Sequence, residues 1–165
     1  MFYDRYMDLV YGLATRMLGN RTLAEDAASE VFLKVHRAAD RLDPARDPAP
    51  WLVTITTNVC RDLWRSAAYR VSQRAADVHD PMVAASLSSG RDEPEQNAVR
   101  SERERVVQEA LLKLPAPLRE SIVLHDYSGL DHRQVADTLH IAHDAARKRY
   151  SRALAALASL LEGRI

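Results

Sequence analysis

The 165 residues balance 23 Lys and Arg against 23 Asp and Glu, and 47% of them are hydrophobic. That length bounds the chain to one ordinary domain or two small ones, and the hydrophobic content excludes a disordered chain. Five Gly, two Phe and runs such as "AALASLL" and "RERVVQEALLKL" favour helix, so the expected class is all-α.

Residues 2 to 18 place Phe2, Tyr6, Leu9, Val10, Leu13 and Met17 on one helical stripe, and "GN" at 19 and 20 ends it. Charge from Asp4 onward and the lack of a continuous apolar core exclude a signal peptide there. No run along the chain approaches 18 apolar residues, so a cytoplasmic protein with no membrane insertion is expected.

A second helix is predicted from about Leu23 to Arg41, with Ala24, Ala27, Val31, Val35 and Ala38 facing inward. Its outward stripe is Asp26, Glu30, Leu33 and Arg37. An apolar Leu between exposed charges fits a protein partner. An ordinary solvated face with one exposed Leu accounts for it as well.

After "LDPARDPAP", Asp47 and Pro48 supply an N-cap and a first-turn proline for a third helix from about Pro48 to Tyr69. Leu52, Ile55, Val59 and Leu63 share one face of it. Trp51, Thr54, Asn58, Arg61 and Arg65 share another. Aromatic rings stack on unpaired bases and Arg neutralises phosphate, so this second face suits a melted nucleic-acid strand. A buried Trp beside a solvated Arg stripe explains it equally well. Cys60, alone in the sequence, forms no intramolecular disulfide or thiolate cage, and a packed thiol fits a reducing compartment.

From Val71 to about Arg100 the periodicity fades, and "VHDPMVAASLSSGRDEPEQ" reads as a flexible linker. Helical patterning resumes at Glu102. The last three helices are separated by "SGL" and "HIA", the short connections of a helix-turn-helix. On the final helix Ala146, Tyr150, Ala153, Leu154, Leu157 and Leu161 form the predicted core stripe. Asp144, Lys148, Ser151 and Arg152 lie roughly opposite, with Arg147 at the edge. A packed face behind a basic one is what a major-groove helix needs. A bundle helix with a solvated basic face has the same pattern, and the preceding turn and helix favour the DNA reading.

His140 and His143 are too few ligands, with no Cys and no clear carboxylate beside them, for a metal to be expected, and no cofactor is implied. Gly-rich phosphate loops, nucleophile motifs and paired carboxylates are absent from the sequence, so an enzyme is not expected.

Three segments in order, "AEDAASEVFLKVHRA", "PWLVTITTNVCRDLWR" and "LPAPLRESIVLHDYSGLDHRQVADTLHIAHDAARKRYSRALAAL", resemble the sigma-70 family of bacterial transcription initiation factors, in its extracytoplasmic-function group. The resemblance implies two small helical domains joined by a flexible linker. Residues 1–70 would be the region 2 domain, which binds core RNA polymerase and melts the minus-10 element. Residues 71–100 would be the linker, and 101–165 the region 4 helix-turn-helix that reads the minus-35 element. By position the resemblance matches Asp26 and Glu30 to polymerase binding, with Leu33 of the same stripe expected to join them, and Asn58 to capture of a flipped minus-10 base, with Trp51, Thr54, Arg61 and Arg65 of the same face expected to contact that strand. Minus-35 contacts would come from Arg147, Lys148, Arg149, Ser151 and Arg152, and a dedicated anti-sigma factor would be a further partner.

The chain departs from the family pattern at the turn, where His140 stands for the usual Gly and Ala142 for a capping Ser or Thr. Loss of that cap costs about 1 kcal/mol unless His143 or Asp144 replaces it. Electrical neutrality fits a factor that reaches DNA on a larger enzyme and avoids loose binding to the genome. The rival expectation is a stand-alone helix-turn-helix regulator with an N-terminal sensor or dimerisation domain, which would bind a palindromic operator unaided.

Overall fold

The structure is a computed structural model that describes residues 2–77 and 98–164, with side chains described over 2–66 and 101–164. Every regular element among the described residues is a helix, without a strand, and the chain divides into two compact units.

The first unit holds α1 (Phe2–Leu18), α2 (Arg21–Arg37) and α3 (Ala49–Asp77), each packed against the other two. Gly19, at φ 64°, occupies the left-handed region that ends α1 without a Cβ penalty. The next residue, Asn20, caps α2 by accepting the Leu23 N–H at 3.0 Å. A 3₁₀ turn at Ala39–Arg41 follows α2, so the helix expected to run to Arg41 stops four residues earlier. In "DPARDPA" the same device appears twice. Asp43 accepts the Ala45 N–H at 2.9 Å, and Asp47 accepts the Ala49 N–H at 3.0 Å, which satisfies the first donor of α3.

Val10, Leu13, Ala14, Met17 and Leu18 of α1 meet Ala24, Ala27, Ala28, Val31 and Val35 of α2 and Leu52, Val53, Val59 and Cys60 of α3 in the core. The alanines on α2 let its neighbours approach closely. Thr56 and Thr57 are fully buried, and each hydroxyl donates to the carbonyl four residues back, Leu52 and Val53, at 2.7 Å. That local bond removes the cost of an unpaired buried hydroxyl.

α3 passes the expected stop at Tyr69 and continues to Asp77, and the next helix begins at Ala98, so helix occupies both ends of the stretch read as linker. Neither Gly nor Pro interrupts the sequence between Trp51 and Asp80, and fading amphipathicity alone does not end a helix. The remainder of that expectation, residues 78–97, lies outside the described residues.

The second unit holds α4 (Ala98–Lys113), α5 (Ala116–Ile122) with a π-helical turn at Val123–Tyr127, α6 (His132–Leu139) and α7 (His143–Leu161). α7 packs against α4, α5 and α6. Leu111, Leu114, Ile122 and Ala153 are buried at its centre, surrounded by Val107, Leu118, Tyr150, Ala156, Leu157 and Leu160. Leu154, assigned to the core stripe from sequence, is instead 40% exposed. It lies about 100° round the helix from Ala153, whereas Ala156 and Leu160, on the other flank of Ala153, pack against the core.

Candidate nucleic-acid and polymerase interfaces

On α2, Asp26, Glu30 and Leu33 are all exposed, on the side away from Ala27, Val31 and Val35. Neither carboxylate has an ion-pair partner among the described residues, whereas nearby Glu25 is held by Arg21 at 3.1 Å. Leu33 is 53% exposed. Beside it in sequence, Phe32 is half-buried and its ring lies 4.8 Å from that of Tyr3, itself 52% exposed. The exposed apolar residues of this unit therefore include Tyr3 as well as Leu33. Tyr3 escaped notice because it belongs to another helix.

On α3 the buried arc is Leu52, Val53, Thr56, Thr57, Val59 and Cys60. At about 100° per residue, its middle lies roughly opposite Trp51, Thr54, Asn58, Arg61 and Arg65. Trp51, Thr54, Asn58 and Arg61 are half-buried and Arg65 is exposed, so the five share the free side of the bundle. Ile55 and Leu63, read on the same face as Leu52 and Val59, are only half-buried, at the borders of the core. The Thr54 hydroxyl donates to the Pro50 carbonyl at 3.1 Å and still has lone pairs to accept. The Asn58 carboxamide makes no hydrogen bond to a described residue and is not sealed from water. It presents two donors and an acceptor.

α6 and α7 form the helix pair. Asp131 and Gln134 close a reciprocal capping box at the start of α6, at 2.8 Å and 2.9 Å. The spacing D-x-x-Q before an apolar run is the sequence signal for it. His140 ends α6 at φ 57°, ψ 45°, in the left-handed conformation for which the family's Gly is suited. Ala142 stands at the N-cap of α7 with no side-chain bond, and neither His143 nor Asp144 takes over. Asp144, Arg147, Lys148, Ser151 and Arg152 are exposed on one side of α7, opposite buried Ala146 and Ala153. Arg149 is half-buried and sits on the flank toward the core, apart from the other four named candidates.

Two features went unread in the sequence. Arg119 is 3% exposed, and its guanidinium donates to the carbonyls of Leu111, Leu112 and Leu114 at 3.0, 3.1 and 2.9 Å. It thereby closes the C-terminal end of α4, and burial pushes its pKa down, against the pull of Glu120. The second is a cluster of His125, Asp126, His132 and Tyr150 at the joint of the π-turn, α6 and α7. No periodicity rule joins residues so far apart in sequence. Among the described residues, no group of three His, Cys, Asp or Glu side chains is arranged to hold a metal, and no helix is long and apolar enough to cross a membrane.

One unit is a three-helix bundle with an acidic-apolar face and a polar aromatic face, and the other carries a helix-turn-helix. Residues 2–70 match the family Sigma-70 region 2, and residues 104–157 match Sigma-70, region 4. The ECF RNA polymerase sigma factor SigW of Bacillus subtilis is 31% identical over 156 residues, covering 93% of this chain and 83% of that protein. RNA polymerase sigma factor CarQ of Myxococcus xanthus is 31% identical over 163 residues, covering 96% and 86%. The probable RNA polymerase sigma factor RfaY of Xanthomonas campestris is 37% identical over 150 residues, and there the chain spans only 36% of the relative's length. Among solved structures, the sigma factor RpoE in complex with the anti-sigma factor NepR from Bartonella quintana aligns with TM-score 0.75 and 21% identity, covering 98% of this chain and 97% of that one. CnrH, solved in complex with the cytosolic domain of CnrY, aligns with TM-score 0.63 and 28% identity, covering 98% and 85%. This chain belongs to the sigma-70 family of RNA polymerase sigma factors, in the extracytoplasmic-function group.

Proposed function

We propose that the chain is a non-catalytic initiation factor of the cytoplasm that binds core RNA polymerase and directs it to specific promoters. The observation that carries this reading is the occurrence of both sigma regions, in order, in one short chain. Residues 1–70 form the polymerase-binding and melting part, and 101–165 the minus-35 reader. The carboxylates of Asp26 and Glu30, without an ion-pair partner among the described residues, make the polymerase-facing surface with Leu33 beside them.

On α3, Trp51 offers a stacking plane and Asn58 a hydrogen-bonding edge for an extruded base, with Thr54 between them. Arg61 and Arg65, one and two turns further on, follow the strand's phosphates. On α7, Arg147, Lys148, Ser151 and Arg152 face the major groove. Arg149, on the flank, serves backbone contact or packing. Asp144 at the helix start repels phosphate, so the burden of affinity falls on polymerase.

An anti-sigma factor is the further partner. The relatives solved in complexes, RpoE with NepR and CnrH with a CnrY domain, support that reading, as does the exposed apolar patch around Leu33. Gel filtration tests the core of the proposal. The chain should co-elute with purified core polymerase, and specific promoter duplex should be retained by the complex and not by the chain alone at physiological salt. Tight operator binding by a free dimer would support the stand-alone regulator in its place.

A further inference from the structure

Four side chains from three elements meet where the helix-turn-helix bends. The π-turn supplies His125 and Asp126, the first turn of α6 supplies His132, and the middle of α7 supplies Tyr150. His125 and His132 are stacked, with ring centroids 4.6 Å apart and planes 19° from parallel. The Tyr150 ring lies against both, at 4.4 Å from His125 and 5.0 Å from His132. Asp126 Oδ1 accepts from the Tyr150 hydroxyl and from His125 Nδ1, each at 2.7 Å. A carboxylate only accepts, so His125 carries a proton on Nδ1. Nδ1 of His132, by contrast, is buried and has no hydrogen-bond partner. A bare lone pair is the less costly state of such an atom, because a buried N–H without an acceptor loses its full hydration. The packing therefore selects a neutral His132 with its proton on Nε2.

We propose that this stack is a proton-sensitive clasp on α7, which holds the reading helix in place only while His132 is neutral and releases it as the solution is acidified. The proposal rests on the reading of α7 as the minus-35 helix. Tyr150 stands three residues after Arg147 and one and two before Ser151 and Arg152, so any loosening of the ring stack displaces those groups directly.

The surroundings of His132 carry both signs, and on balance they disfavour its protonation. From the π-turn it meets His125, with Asp126 behind it. From α7 the Tyr150 ring lies against it and Arg147 and His143 act on it through their charge, and Asp131 adjoins it at the start of α6. Burial first, then His125, Arg147 and His143, push its pKa below the ordinary histidine value of 6.5, against the smaller opposing pull of Asp131. That carboxylate is already engaged by the Gln134 N–H. The Tyr150 phenol does not titrate in this range, since burial and the Asp126 bond raise it to about 12. With His132 depressed in the fold, the unfolded or opened state takes up the proton first. The clasp is at full strength above the ordinary histidine pKa and weakens as pH falls toward the lower folded value. A protonated His132 gains a partner for Nδ1–H only by swinging out of the stack into water.

The experiment uses the full chain and has two arms. In the first, without DNA, NMR follows the His132 ring between pH 8 and 5 (roughly the span in which histidines titrate), and hydrogen exchange measures protection of the α7 amides. His132 should titrate below the ordinary range, and α7 protection, corrected for intrinsic rates, should fall at least about threefold on acidification. His132→Phe, which keeps a ring without a titrating group, should abolish that fall, and His132→Gln replaces it if the Phe variant does not fold. A His132 that titrates at or above the ordinary value, unchanged protection, or an equal fall in the non-titrating variant overturns the clasp. In the second arm, polymerase complexes of wild type and variant bind promoter duplex at both ends of the range. Wild type should lose at least about threefold more affinity on acidification than the variant. Equal losses after a positive first arm overturn the link to promoter reading and point at the role assigned to α7, so the two failures are separable.

Discussion

Nη2 of Arg119, on α5, donates to the carbonyl oxygen of Leu114 at 2.9 Å, across the turn that ends α4. The same guanidinium serves Leu112 and Leu111, the latter also accepting the Leu114 N–H at 3.1 Å, so one buried side chain helps to close the helix end. Arg119→Met should destabilise the second unit by about 2 to 4 kcal/mol, because charged hydrogen bonds are lost and the acceptors stay behind. Arg119→Lys should recover only part of that, since an ammonium cannot match the fork. Urea unfolding monitored at NMR signals of the second unit checks both.

The junction before α7 should tolerate improvement. His140 holds a left-handed conformation at φ 57°, and Ala142 leaves the helix start uncapped. His140→Gly should add about 0.5 to 1 kcal/mol of stability by removing the Cβ strain. Ala142→Ser should add about 1 kcal/mol by accepting a first-turn N–H. The same urea experiment reads both gains, and a loss at either position would contradict the assigned backbone geometry.

Much of this organisation was legible in the residues, for identifiable reasons. The helical pairs declare themselves because their apolar spacing matches 3.6 residues per turn, and "GN", "SGL" and "HIA" break it cleanly. The outward faces of α2 and α3 follow from the same periodicity, and the missing cap at Ala142 from its departure from the family's Ser or Thr. The extension of α3 to Asp77 was not legible, since a helix continues through polar sequence when nothing terminates it. Leu154 was misplaced because a wide apolar run on α7 leaves the centre of its buried face ambiguous by one step. Arg119 and the His125–His132–Tyr150 stack were invisible for a different reason. Both depend on contacts made across turns, where side-chain meeting points are set by packing angles.

Asn58→Ala should impair promoter opening and leave closed-complex formation nearly intact, since its carboxamide would meet a base only after strand separation. Permanganate footprinting of promoter thymines checks this. Equal reactivity with wild type and variant would reject the role given to Asn58.

On α7, Arg147→Ala or Arg152→Ala should weaken promoter binding by the polymerase complex by about 1 to 3 kcal/mol and relax preference at one minus-35 position. A loss that is uniform across sequences would make that residue a phosphate contact. Arg149→Ala should leave base preference unchanged, in keeping with its flank position. Binding across a set of single-base promoter variants distinguishes the three.

The exposed stripe on α2 predicts two partners for one surface. Charge reversal at Asp26 and Glu30 together should abolish co-elution with core polymerase and leave helix content unchanged, because both side chains point to solvent and neither has an ion-pair partner to lose among the described residues. Pull-down from the native host under resting conditions should recover a small inhibitory protein whose binding is weakened by Leu33→Ser. Recovery of polymerase subunits alone, both at rest and under stress, would remove the inhibitor from the account.

Run-off transcription with purified core polymerase on a library of genomic promoter fragments, with and without this chain, tests the central claim most directly. The account predicts that the chain adds a defined set of transcripts whose start sites share upstream minus-10 and minus-35 elements, and that core polymerase alone produces none of them. Identical transcript profiles with and without the chain, under conditions where it co-elutes with polymerase, would contradict it.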